Sequence, residues 1–191
     1  MTTTDRPTRP GFSVRAAGPG DLAAARALMI RTFEEDFGYG YRPEFHADVD
    51  DLRGVYLEHP RHALFVAVAD DTGQLLGTAG IRSGGLKPAF NLPWLVARYD
   101  PERTAQLVRV YTLRECRGRG VARALVERAV RFAAEEGGYT VVALHTDPRS
   151  PGAERFWRSL PTTLIHDDRD GPSGSLHFEL AIPTVGLRTE D

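Results

Sequence analysis

The chain has 191 residues, 24 Lys plus Arg against 26 Asp plus Glu, and a formal charge of −2. That length is enough for one domain with a sizeable core. The near-neutral balance excludes an overall basic field that would attract nucleic acid. Cys116 is the one cysteine, which excludes an internal disulfide and fits a reducing, cytoplasmic setting. No apolar run approaches membrane-spanning length, and no signal-peptide core opens the chain, so no membrane partner is expected.

Met1 to Gly11 reads as a disordered leader. Phe12 to Ala16 is a short strand, broken by Gly18-Pro19-Gly20. Asp21 is placed to cap a helix that runs to about Phe33, with Leu22, Ala25, Leu28 and Met29 as its apolar face. Glu34 to Tyr41 is acidic and aromatic. Pro43 to Leu57 carries Phe45, Val49, Leu52 and Tyr56 at helical spacing, and His59-Pro60 ends it. Leu64 to Ala69 and Leu75 to Ile81 are strands joined by the turn residues 70–73. Gly77 and Gly80 mark a bulge or a close backbone approach. Ser83 to Arg103 is a long irregular stretch. Phe90, Asn91 and Trp94 within it either close over a substrate, build a dimer contact, or simply pack.

Gln106 to Leu113 alternates as a strand, and Val121 to Ala134 places Leu125, Ala129, Val130 and Phe132/Ala133 on one helical stripe. Between them lies Arg117-Gly118-Arg119-Gly120. A glycine turn that feeds a helix start exposes backbone N–H groups at the positive end of the helix dipole, a seat for a phosphate. A P-loop requires Lys-Ser/Thr after the last glycine, but Val121-Ala122 follows here. A dinucleotide fingerprint requires a third small residue where Arg123 stands. Tyr139 to Thr146 is the next strand. Ser150, with Pro151 at the first position, is placed to cap a helix carrying Ala153, Phe156, Trp157 and Leu160. Thr162 to Ile165 and Ser175 to Ile182 are the last strands, and Pro183 to Asp191 is a tail.

The run Arg117-x-x-Gly120-x-Ala122, between a strand and a helix, resembles the acetyl-CoA motif of GNAT-superfamily N-acetyltransferases. The order of elements on both sides agrees with that family. The resemblance implies one acyltransferase domain over residues 12–182. Its fold would be α/β, a central mixed, twisted sheet of about six to seven strands flanked by about four helices, with a V-shaped split between strands four and five. It also implies acetyl-CoA as acyl donor. Backbone of Val110, Tyr111 and Thr112 would pair with the pantetheine arm. Arg117, Gly118, Arg119, Gly120, Val121 and Ala122 would hold the pyrophosphate. Ser150 and Trp157 would contact the donor from the last helix. There the sequence departs from the family pattern: Ser150 replaces the usual Asn, and Trp157 replaces the Tyr that protonates the leaving sulfur. Indole N–H donates a hydrogen bond but is no acid.

Direct acyl transfer needs a deprotonated amine, an N–H donor for the oxyanion and a proton for the thiolate. His145, late in the fifth strand, is the candidate base, and Tyr111 the candidate acid. Cys116 lacks an evident activating base for a covalent role. His46, Asp48, Asp50 and Asp51 resemble a metal cluster only in composition, since Asp48 falls off the face shared by His46 and Asp50; no metal is expected. Glu34, Glu35, Asp36, Glu44 and Asp48 form an acidic run that suggests a cationic or amine acceptor, a small molecule or a peptide. Glu35, Asp36, Tyr39, Asp48 and Trp94 are the candidate substrate residues. Two alternatives stand beside acetyl transfer to an amine: a longer acyl donor, and a degenerate member that binds CoA and regulates. Homodimerisation is a family-level expectation.

Overall fold

The computed structural model describes residues 11–86, 88 and 91–182. The leader up to residue 10, the tail from Pro183, and Phe90 lie outside the described residues. Seven strands form one sheet in the order β1-β2-β3-β4-β5-β7-β6. They are β1 (Phe12–Ala16), β2 (Ala63–Ala69), β3 (Leu75–Ser83), β4 (Thr104–Thr112), β5 (Val141–Thr146), β6 (Thr162–Asp167) and β7 (Leu176–Leu180). Neighbours run antiparallel except β4 and β5, which are parallel.

Helix α4 (Val121–Glu135) buries Leu125, Val126, Ala129, Val130, Phe132 and Ala133 against one face of the sheet. Full burial of a leucine such as Leu125 stabilises by about 1.5–3 kcal/mol. The opposite face of β2–β4 is covered by α1 (Leu22–Glu35) and α2 (Pro43–Asp50), around Met29, Phe33, Val49 and Tyr56. The segment 83–103 contributes a short α3 (Pro93–Ala97), and Leu86, Leu95 and Tyr99 pack on Ala143 of β5. The same segment packs on the sheet and also lines the cleft, through Asn91, Leu92 and Pro93. Trp94 points outward, 50% exposed.

Local structure differs from the sequence expectation at several points. Pro43 to Leu57 is not one helix. The Asp51 carboxylate accepts the Gly54 N–H (2.9 Å), a local bond that competes with helix continuation, and a separate wide turn follows at Arg53–Leu57. Phe45 is accordingly turned out, whereas Val49, Leu52 and Tyr56 are buried. Asp21 does begin α1, but its carboxylate accepts the Gly18 N–H (2.7 Å) and pairs with Arg15 instead of capping the first turn. The last helix, α5 (Ala153–Arg158), starts two residues later than expected, because Gly152 at φ 80° takes the capping position and Ser150 belongs to the turn before it.

The features that open a site are both in β4. It pairs with β5 only through Thr104–Val141, Ala105–Val142 and Gln106–Ala143; beyond these the two strands part. The V-shaped split is thus present. On the other side, Thr78 faces Tyr111 while Gly80 faces Val108, so β4 carries one extra residue, a bulge. Arg109 takes the strain of that bulge at φ 55°, a left-handed conformation that costs a non-glycine residue roughly 1–2 kcal/mol. Thr78 Oγ1 donates to the Arg109 carbonyl (2.8 Å) and pins it. Gly80 is required beside the bulge, since a Cβ there would sit 2.8 Å from the Tyr56 ring.

Candidate active site

A cleft of about 1290 Å³ follows the β4–β5 split across the sheet. One end is the glycine turn. Gly118 and Gly120 have φ 74° and 85°, and no atom lies within 4 Å of the position a Cβ would take at either. Gly120 caps α4, whose first intrahelical bond runs from Ala124 N–H to the Gly120 carbonyl (3.0 Å). The N–H groups of Val121, Ala122 and Arg123 therefore have no partner within the helix, and these residues line the cleft. A helix N-terminus behind two open, left-handed glycines fits a pyrophosphate. Arg117 lines the same end, with its guanidinium on the Asp36 carboxylate, which Arg114 Nε also holds (2.7 Å). Arg119 reaches Cys116 Sγ (3.8 Å), and Cys116 is buried.

In the middle of the cleft, Val110, Tyr111 and Thr112 form the edge that β4 leaves uncovered. On the β5 side its peptide groups have no strand beside them among the described residues, while β3 pairs with the other side. Ser150 and Trp157 form the opposing wall. Trp157 is nearly buried and packs edge-on against Phe156 (4.9 Å). Tyr111 meets Phe33 and Phe37 edge-on (both 5.8 Å), and its hydroxyl lies 3.4 Å from an Arg109 nitrogen.

Sequence reasoning missed Arg109. Its guanidinium is buried against Asp48: Nε donates to Oδ2 (3.0 Å), Nη2 donates to Oδ1 and also to the Phe45 carbonyl (2.7 Å). Tyr56 donates to Asp48 Oδ2 (2.6 Å). Burial alone would raise the Asp48 pKa, but the hydrogen bonds and charge of Arg109, with Tyr56, hold it down at about 2. The same pairing keeps Arg109 protonated despite burial. The available signal was an arginine amid the apolar residues of a strand.

The substrate residues expected from sequence are dispersed. Asp48 is buried under this ion pair, not on the acidic cleft wall. Asp36 lines the cleft but is engaged by Arg114 and Arg117. Glu35 pairs with Arg31 (2.9 Å) on the exposed side of α1 and does not line the cleft. Trp94 stands outside, edge-on to His166 (5.3 Å). Tyr39 does line the cleft, between Phe37 (5.5 Å) and the Arg42 guanidinium (5.1 Å). Burial, reinforced by the Tyr111 oxygen, pushes its pKa up to about 12. His46 is buried, stacked on Phe33 (3.8 Å), and accepts the Arg42 N–H (2.9 Å). Among the described residues no group of three or more His, Cys, Asp and Glu side chains is arranged to hold a metal.

His145 opens into the far end of the cleft. Water reaches the ring, yet the protein packed around it impairs hydration of the imidazolium; with the Arg109 and Arg82 charges this lowers its pKa. A second histidine that sequence reasoning missed, His177 on β7, pairs in register with both His145 and His166. The His177 ring lies 6.0 Å from His145 and 6.2 Å from His166. Burial, then its two histidine neighbours, pushes the His177 pKa down to about 4. Its Nδ1 is buried with no hydrogen-bond partner. The alternation of Leu176, His177 and Phe178 placed it on the face away from α4.

Comparison with known proteins gives this cleft its context. N-acetyltransferase 8 of Rattus norvegicus is 30% identical over 115 residues, 60% of this chain and 46% of that protein. N-acetylaspartate synthetase of the same species is 27% identical over 115 residues, 60% of this chain and 32% of that protein. The match thus spans less than half the length of either relative. A GNAT-family acetyltransferase from Staphylococcus aureus Mu50 superposes with a TM-score of 0.69 at 12% identity, covering 91% of this chain and all of its own; at that identity the likeness concerns the fold. Residues 25–160, most of the chain, match the Acetyltransferase (GNAT) family, and with the split, the bulge and the glycine turn this assigns the chain to the GNAT acetyltransferases.

Proposed function

We propose that residues 12–182 transfer the acetyl group of acetyl-CoA to a primary amine by direct attack. The observation that carries this reading is one continuous surface: the uncovered β4 edge beyond Gln106, the bulge at Arg109, and the open glycine turn at Gly118–Gly120. The names of the curated relatives, which place an acetyl group on nitrogen, support an amine acceptor. When bound, acetyl-CoA supplies an activated thioester.

The chain's residues do the rest. Val121 and Ala122 N–H groups, with Gly118, Arg119 and Gly120, hold the pyrophosphate, and the Arg117 charge adds to that end. Backbone of Val110, Tyr111 and Thr112 aligns the pantetheine amides, and N–H groups at the bulge face the developing negative charge. His145, with its lowered pKa, is neutral at pH 7 and takes the amine proton. The Arg82 and Arg109 charges also disfavour an ammonium nearby. Tyr111 Oη returns a proton to the sulfur, and Trp157 and Ser150 shape the opposing wall. Residence in the cytoplasm and homodimerisation belong to the same proposal; light scattering tests the latter.

The test is thiol release from acetyl-CoA against a panel of amines and short peptides. Amine-dependent release is expected, with His145→Ala lowering kcat by about 10²–10⁴-fold while acetyl-CoA affinity stays the same. A His145→Ala enzyme with full kcat removes His145 from the mechanism. Trp157 in the usual Tyr position favours a second reading, a CoA-binding regulator; tight CoA binding with no release for any acceptor would select it.

A further inference from the structure

The charges along the cleft do not match the acidic wall expected from sequence. Two cleft carboxylates are committed, Asp36 to Arg114 and Arg117 and Asp147 to Arg149, and Asp48, buried off the cleft wall, is committed to Arg109. Asp168 accepts the Ser173 N–H (2.8 Å) and lies 3.5 Å from His166. Glu44 and Arg42, of opposite charge, both line the cleft.

Arg82 is different. It stands on β3 in register with Gln106 and lines the cleft on the face that His145 shares. Its nearest carboxylate oxygen, Asp48 Oδ2, is 3.9 Å away and already accepts from Arg109 and Tyr56. The guanidinium fork therefore has no carboxylate of its own among the described residues. Its side chain is 24% exposed, and it shares Asp48 with Arg109 at that longer distance, so two guanidinium charges meet one carboxylate there.

We infer that Arg82 is the seat of a carboxylate on the acceptor, which is thus an amino acid; this rests on the acyl-transfer reading above. A planar fork binds a carboxylate through two parallel N–H donors. Gln106 separates Arg82 from Ala143, two residues before His145. Two strand spacings place the Arg82 and Ala143 backbones roughly 10 Å apart, and side chains converging over that floor leave room for a small molecule with amine and carboxylate a few bonds apart. A plain ammonium would meet Arg82 as a like charge. A carboxylate on the same molecule offsets Arg82 and leaves the amine at His145, whose neutral ring takes its proton.

The experiment compares each free amino acid with its amide and its decarboxylated amine, such as leucine, leucinamide and isoamylamine, across a set of side chains. At least tenfold higher kcat/KM is expected for the best free acid over both analogues. Arg82→Gln should bring that ratio to within about twofold by raising KM for the acid alone, and Arg82→Lys should restore part of it. Amides or amines that match their acids overturn the inference while leaving acetyl transfer intact, as does an Arg82→Gln enzyme that loses activity on all three alike. No turnover with any amine overturns the transfer reading instead. The subsite is then judged by thermal-shift titration in the presence of CoA: the acids must stabilise wild type more than their amides do, and not Arg82→Gln. Equal shifts for acid and amide dismiss it.

Discussion

The two walls of the cleft treat polar groups in opposite ways. The β3–β4 wall ties its charges together: Arg109, Asp48 and Tyr56 form one buried, hydrogen-bonded unit. The β5–β7 wall keeps neutral imidazoles, His145 and His177, with the His177 Nδ1 unpartnered. A buried ion pair holds geometry because removing either member strands the other. Here the geometry held is the left-handed residue of a bulge. Neutral imidazoles hold little by themselves, but their unprotonated ring nitrogens are free to take a proton from a reacting group. One wall shapes the site and the other is available for chemistry.

Breaking the first wall should have the largest effect. Asp48→Ala leaves the Arg109 guanidinium buried and unpaired, and about 3–5 kcal/mol of unfolding free energy should be lost in urea titrations at pH 7. A loss under about 1 kcal/mol would mean that the ion pair does not hold the bulge. The second wall is exposed by pH. The His177 pKa in the fold, about 4, lies below its ordinary 6.5, so the unfolded chain binds the extra proton between these values. Its contribution is complete above pH 6.5 and is lost as pH falls towards 4. His177→Phe should lessen the acid-induced stability loss by up to about 2–3 kcal/mol. His145, His166 and Asp168 face the same ring and remain in both proteins. Asp48, ionised down to about pH 2, contributes a constant term over that window, so the pH range itself separates the walls. The smallest effect is expected from Tyr56→Phe. It removes one donor from Asp48 while Arg109 stays paired, and about 1–2 kcal/mol should be lost in the same titration.

The glycine turn and its flanking strand and helix were legible in sequence because their chemistry is local. A positive φ at Gly118 and Gly120, a helix start at Val121 and an alternating strand before them are each encoded within a few residues. The same locality explains the misplaced starts and ends. The Asp51–Gly54 bond and the Gly152 cap are small local competitors that apolar spacing does not register. The acidic run failed for another reason. Which arginine meets which acid depends on residues 61 and 81 positions apart, as for Asp48 with Arg109 and Asp36 with Arg117.

By itself, the sequence determined the order of elements, the anion-seating turn and the family, since periodicity, glycine placement and motif spacing act over short stretches of chain. Only the tertiary structure decided which charges are cancelled and which face the cleft. It buried Asp48 and Arg109 together and left Arg82 without a carboxylate of its own. It also aligned His145 with His177 across paired strands. Coulomb attraction and desolvation depend on distance and burial in space, and these are fixed only once the sheet has brought distant segments together.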